Sequence, residues 1–227
     1  MTNDPQDDES TSNQYCLAAR PESVYLGLGS NLGDREANLR ESIERITALG
    51  LEVAQSSSIY ETEPVGYKNQ PWFLNQVIEV RVAPVLPLHD DAEVAAGLKD
   101  LWDEEPGMTS YFWVCRLLKE LLAIEHAMGR ERTIPDGPRP IDIDILIYGE
   151  LAGGLSETHE DPERAGFRRA EAPFLTLPHP RMHERRFVLE PLCEIAPNLV
   201  HPTLKKTCCE LLASLEDSSA VRLYKKI

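Results

Sequence analysis

The stretch GPRPIDIDIL, Gly137 to Leu146, makes two demands at once. From Ile141 onward it reads as a strand, because Ile141, Ile143, Ile145 and Ile147 alternate with Asp142, Asp144 and Leu146. Successive side chains of a strand point to opposite faces. The isoleucines therefore predict one face laid against a core. The other face carries two carboxylates about 6.5–7 Å apart, from a rise of about 3.3 Å per residue. Two acids so placed repel each other, and a divalent cation between them relieves that repulsion. Hard oxygen ligands with room left for water suit magnesium bound to polyphosphate. Arg139 stands just before them, between Pro138 and Pro140. The two rings restrict the backbone, so a planar guanidinium is held ready for a phosphate.

Outward from this strand the chain alternates strand and helix. SVYLGLGS, 23–30, is the first strand. Asp34 then caps a helix over REANLRESIERITAL, whose Leu39, Ile43, Ile46 and Leu49 share a face, and Gly50 ends it. LEVAQSSSIYETEP, 51–64, reads as one strand broken at Pro64, and WFLNQVIEVRV, 72–82, as the next. Residues 83–113 read as an insertion made of a loop and a short helix. CRLLKELLAIEHAMG, 115–129, is an amphipathic helix with Leu117, Leu118, Leu121, Ile124 and Met128 on one side. Residues 150–173 read as a second, polar insertion, and a last short helix falls near 206–215. The order β-α-β-β-α-β predicts a ferredoxin-like α+β fold: one antiparallel sheet with its helices on one face, plus C-terminal helical turns. Residues 1–20 read as a disordered acidic tail, leaving one domain over 21–227.

Charge and composition narrow the function. The 227 residues carry a net charge of -15, so no general basic field invites nucleic acid. No apolar run approaches the roughly 20 residues of a membrane span, and the polar N-terminus is no signal peptide. Five cysteines, two of them adjacent at Cys208 and Cys209, suit no disulfide framework. They read as reduced thiols of a cytoplasmic protein.

Further motifs surround the central strand. GLGSNLG, 27–33, places glycines between a strand and a helix, but its spacing departs from the dinucleotide fingerprint and it lacks the P-loop lysine. Either the glycines admit a close neighbour or they cradle an anion. GRER, 129–132, and HPRMHERRF, 179–187, concentrate Arg130, Arg132, Arg181, Arg185 and Arg186 in an acidic chain. Such clusters are either solvated loops or an anion site. In EPVGYKNQPWFLNQ, 63–76, Phe73 and Asn75 point the same way along a strand. That pairing suits a flat heterocycle, through stacking and edge hydrogen bonds, or else a core aromatic beside a capping amide.

Taken together, YLGLGSNLGDREANL, SSIYETEPVGYKNQPWFLN, IEHAMGR, GPRPIDIDILIYG and LTLPHPRMHERRFVLEPLCEIAPNLVHP resemble the 6-hydroxymethyl-7,8-dihydropterin pyrophosphokinase family of folate biosynthesis. They stand in that family's order and cover most of 24–202. The resemblance implies transfer of pyrophosphate from ATP to the pterin hydroxymethyl group, with AMP released. It implies that Asp142 and Asp144 hold two magnesium ions on the ATP phosphates. Phe73 and Phe187 would sandwich the pterin, with Asn75, Asp142 and the chain around Thr62, Pro64 and Val65 reading its edge. Glu125, Arg130, Arg132, Ile145, Thr176 and His179 would line the ATP site, and Arg139 and Arg185 would clamp phosphates. The partners implied are these two small molecules alone, bound by a monomer.

The chain departs from the family's pattern at Pro135 and Asp136, where a basic residue usually stands two positions before the glycine of Gly-Pro-Arg. The lid loop there is also shorter, and Phe174 and Pro180 occupy positions of further ATP contacts in some members. Two alternatives share the residues: another magnesium-dependent nucleotide transferase, and a silent pterin- or nucleotide-binding module.

Overall fold

A computed structural model describes residues 22–82, 106–131, 134–154 and 175–227. Strand β1 (Glu22–Ser30) leads into α1 (Arg35–Ala48), followed by β2 (Glu52–Ser56), β3 (Ile59–Thr62) and β4 (Phe73–Val82). Then come α2 (Pro106–Ala127), β5 (Asp142–Tyr148), the short β6 (Gly153–Gly154) and β7 (Thr176–Leu177), and a 3-10 turn at Met182–Glu184. Helices α3 (Arg186–Ile195) and α4 (Cys208–Ala213) and strand β8 (Val221–Lys225) close the chain. The main sheet runs β5-β1-β4-β3-β8, with β2 also paired to β4, and every pairing is antiparallel. This is the α+β arrangement expected.

Local chemistry explains the first elements. Asp34 accepts the Ala37 N–H at 3.0 Å and starts α1. Gly50, at φ +84°, takes the left-handed turn beyond its end. Leu39 and Ile46 of α1 and Leu117, Leu121 and Ile124 of α2 meet Val24, Leu26, Leu28, Ile141, Ile143 and Ile145 in one buried cluster. Burying an isoleucine contributes about 1.5–3 kcal/mol. Three of them anchor β5 firmly enough to hold two repelling carboxylates on its other side.

The C-terminal turns lie across the opposite face. There Met182, Val188, Leu192 and Cys208 pack against Tyr25, Val77, Leu146 and Ile147. Ile147 was expected beside the other isoleucines. A bulge lets Leu26 pair with Ile145 while Tyr25 pairs with Ile147, so Leu146 is the extra residue. The alternation slips there, Ile147 joins the second face, and Tyr148 returns to the first.

Other expectations need correction. The strand 51–64 is two strands, because Ser57 and Ser58 turn inward: Ser57 Oγ accepts the Val77 N–H at 3.0 Å, and Ser58 donates to Glu194. The helix expected from 115 begins nine residues earlier at Pro106, so 106–113 belong to it and not to an insertion loop. Residues 83–105 and 155–174, the bulk of both expected insertions, lie outside the described residues, as does the acidic tail. The cysteines are not all reduced: Cys193 and Cys209 form a disulfide with their Cα atoms 5.6 Å apart, while Cys115 and Cys208 are free. Sequence offers no sign of this pair, because packing of α3 on α4 brings together positions 16 apart. The argument from thiols to a reducing compartment falls with it. Helix α3 and strand β8 were not foreseen; Pro191 inside α3 masked its helical pattern.

Candidate active site

Two adjoining clefts open beside the C-terminal half of β1 and the start of β5. One is walled by Gly27, Gly29, Thr62, Val65, Phe73, Asn75 and Phe187; the other by Glu125, Arg130, Ile134 and His179. Asp136, Arg139, Asp142, Asp144 and Arg185 belong to both. The acids of the opening strand thus stand where the clefts meet.

Backbone contacts fix the arginine loop. Asn31 is buried; its N–H donates to the Arg139 carbonyl at 3.1 Å, and its Oδ1 accepts the Arg139 N–H at 2.8 Å. Its Nδ2 donates to Gln70 Oε1 at 2.9 Å and to the Pro71 carbonyl at 3.0 Å. Asn31 therefore ties the β1 turn to both loops that frame the cleft. Gln70 in turn donates to the Asp136 carbonyl at 2.8 Å. The Arg139 guanidinium lies 4.9 Å from the centre of the Phe73 ring and bonds an oxygen of Asp142.

The two aspartates differ. Asp142 bonds Arg130 through one oxygen and Arg139 through the other. Burial opposes its charge, but Arg139 and Arg130 prevail and hold its pKa below the ordinary value. At Asp144, burial and the charge of Asp142 raise the pKa to about 7. Arg130 also bonds Glu125, whose Oε1 accepts the Ile143 N–H at 2.7 Å. Glu125, on α2, is thereby joined to the outer edge of β5 and steers Arg130 to Asp142. Arg185 is pushed below its usual value by burial, and its Nε is buried without a hydrogen-bond partner among the described residues. Its guanidinium carbon sits 5.6 Å from the Phe187 ring centre. Burial, with Arg185 beside it, lowers His179 to about 4. Since His179 Nδ1 accepts the Arg181 N–H at 3.2 Å, the neutral ring carries its proton on Nε2.

Beside the acids, across Gly29 on the same sheet, the wall carries an aromatic ring and an amide. Phe73 and Asn75 line it together, and Asn75 Nδ2 donates to Thr62 Oγ1 at 2.6 Å. The Asn75 carbonyl oxygen faces Gly29, where an added Cβ would lie only 2.9 Å from it. At Gly27 the added Cβ would meet Leu146 at 3.3 Å. The glycines of GLGSNLG admit close neighbours.

Of the expected residues, Thr62, Val65, Phe73, Asn75, Asp142 and Phe187 share one cleft, and Glu125, Arg130, Arg139, Asp142, Asp144, His179 and Arg185 share the other. Pro64 is buried beside the first without lining it. Ile145 is in the core at 3% exposure and lines neither cleft. Thr176 lies in the β6–β7 ribbon and does not line either cleft. Arg132 lies outside the described residues. Sequence reading missed Asn31 and Gln70 as loop ties and Asp136 as a member of both clefts. Gly66, at φ +81°, admits the Asp136 carboxylate so closely that a Cβ would stand 2.8 Å from it. The only sequence sign of that contact was the departure at Pro135–Asp136.

A ferredoxin-like sheet with paired acids, arginines and an aromatic ring beside an amide at one point defines a domain built for a polyanion beside a planar group. The chain belongs to the 7,8-dihydro-6-hydroxymethylpterin-pyrophosphokinase family, whose sequence model matches residues 25–95 and 108–197. It is 31% identical over 204 residues to 2-amino-4-hydroxy-6-hydroxymethyldihydropteridine pyrophosphokinase of Bacillus subtilis, covering 89% of this chain and 90% of that protein. The protein of the same name from Methylorubrum extorquens is 36% identical over 201 residues, covering 88% and 98%. The folic acid synthesis protein fol1 of Pneumocystis carinii is 34% identical over 195 residues, 85% of this chain but 20% of that protein. The chain thus spans about a fifth of the length of that larger relative. In fold it is similar to wild-type HPPK-DHPS of Plasmodium falciparum solved with pteroate: TM-score 0.55, 15% identity, 86% of this chain and 44% of that one.

Proposed function

We propose that this protein transfers pyrophosphate from ATP to 6-hydroxymethyl-7,8-dihydropterin, releasing AMP, and that the paired clefts are its two substrate sites. Family membership supports the reaction. The observation that carries the assignment of sites is the meeting of both clefts at Asp142, Asp144, Arg139 and Arg185. A transfer between two bound molecules needs such a junction, because holding the reactants in line is most of what the protein contributes.

The pterin fits between Phe73 and Phe187, with the Asn75 carbonyl and the Thr62–Val65 backbone at its edge. With its Nδ2 committed to Thr62, Asn75 meets a ring N–H as an acceptor. The triphosphate fits along Arg130, Arg139 and Arg185, with His179 donating from Nε2 and Arg132 placed near by the motif. Ile145 would contribute through its backbone; Thr176, with no place in either cleft wall, would need the ligand to extend toward β7.

Asp142 and Asp144 fit magnesium. Among the described residues no group of three or more His, Cys, Asp or Glu gathers to cage a metal. Two carboxylates leave most positions to water and phosphate oxygen, which is how magnesium binds a nucleotide. Burial and the charge of Asp142 disfavour the Asp144 carboxylate, and a cation between the two would offset both. When bound, two such ions would neutralise the phosphates and polarise the β-phosphorus. Asp142 is engaged by two arginines; with the site loaded, the carboxylate would hold the metal and Arg130 and Arg139 would be free to meet phosphate.

The enzyme works as a cytoplasmic monomer on this reading. The test is incubation with ATP, magnesium and 6-hydroxymethyl-7,8-dihydropterin, identifying the nucleotide product. AMP together with pterin diphosphate is expected; ADP, or binding with no turnover, overturns it.

A further inference from the structure

Helix α3 brings Arg185 and Phe187 to the cleft, yet nothing at its own start holds it. Its N-cap, Arg185, makes no side-chain capping bond. The first helical N–H, at Arg186, donates instead to Asp217 Oδ2 at 2.9 Å, from 31 residues away. Asp217 lies beyond the residues matched to the family, which end at 197. Its other oxygen accepts the Ser219 N–H at 2.8 Å. One residue on, the Ala220 carbonyl accepts the Glu63 N–H at 3.0 Å, and Val221 pairs with Thr62 where β8 joins β3. Five residues, 217 to 221, thus span from the Phe187 wall of the cleft to the Thr62–Val65 wall.

Charge favours the arrangement. A carboxylate at a helix start meets the positive end of the macrodipole. Asp217 is partly buried, which disfavours its charge, but the Arg186 and Ser219 N–H groups hold its pKa below the ordinary value.

We propose that Asp217 is a positioning residue for the pterin cleft: by capping α3 from the C-terminal segment, it sets the separation between Phe187 and the Thr62–Val65 edge. It touches neither substrate. The inference rests on the proposed pterin site, and it goes beyond it by assigning a role to a segment outside the family match. Without the cap, helix α3 loosens at its first turn and Phe187 moves with it; Arg185, the N-cap shared by both clefts, shifts too, while the nucleotide contacts on β5 and α2 stay.

The test compares the full chain with Asp217→Ala and Asp217→Asn in steady-state kinetics with magnesium, varying each substrate. Losing a cap weakens a helix start by about 1 kcal/mol, or roughly fivefold in an equilibrium. The pterin KM of Asp217→Ala should rise on the order of fivefold, with a distinctly smaller rise in the ATP KM, through Arg185. Asp217→Asn, whose one carbonyl oxygen can keep the Arg186 bond but not the Ser219 bond as well, should restore part of the loss. An unchanged pterin KM in Asp217→Ala overturns the proposal. So does an equal rise in both KM values with a lowered melting temperature, which marks a purely structural residue. Failure of the wild-type chain to use the pterin at all would instead sink the assignment of function.

Discussion

Asp142 and Asp144 sit one strand repeat apart, yet their neighbours give them opposite characters. Asp142 is held charged by Arg139 and Arg130; Asp144, beside it, is pushed up to about 7 by burial and by the charge of Asp142, so it is part-ionised at neutrality. Both are expected to be essential for turnover, but their loss should differ in the fold. Asp144→Ala removes repulsion, so the melting temperature should stay level or rise. Asp142→Ala strands Arg130 and Arg139 and should lower stability by roughly 1–3 kcal/mol, less than a fully buried pair because Arg139 keeps 20% of its side-chain surface. Thermal melts of both variants, run beside turnover assays, decide this; equal melting temperatures would contradict it. Asp144 also sets a pH dependence without metal. Its folded pKa, about 7, lies above the ordinary carboxylate value of 3.8. The protonated form therefore contributes stability that is fully present below about pH 4 and is lost as pH rises through 7. Denaturant melts of metal-free protein should show this decline, and Asp144→Asn should flatten it.

At the scale of elements, β1 matters more than its bland glycines suggest. Gly29 faces Asn75 across the strand pair, with room for a hydrogen and no more. Gly29→Ala should push the Asn75 amide off Thr62 and weaken pterin binding roughly five- to thirtyfold, as loss of an oriented hydrogen bond worth about 1–2 kcal/mol would do. ATP binding should be unaffected; calorimetry with each ligand separates the two. Helix α1, strand β4 and the core face of β5 were legible because cap, periodicity and alternation are local properties. The bulge at Leu146, the break at Ser57–Ser58 and helix α3 were not. Each depends on a partner far along the chain: Tyr25 and Leu26, Glu194 and Val77, Asp217.

For the whole molecule, the net charge of -15 and the cationic junction pull in opposite directions. Distant acids repel ATP and are screened by salt over about 8 Å at 0.15 M. The arginines at the junction are largely buried and are screened less. Initial rates at low ATP should therefore hold or rise as salt increases from low to physiological strength. A steep fall would mean that surface cations capture the nucleotide.

What the sequence alone determined is whatever recurs along a short stretch of chain: strand and helix periods, the Asp34 cap, and motifs specific enough to indicate the family and most of the site. What only the tertiary structure decided is which oxygen meets which cation, that Ile147 leaves the other isoleucines for the second face, that Cys193 finds Cys209, and that Asp217 caps a helix 31 residues before it. The reason is physical. Hydrogen bonds, ion pairs and disulfides act over a few ångströms in space, and spacing along the chain says nothing of which distant residues packing will bring that close.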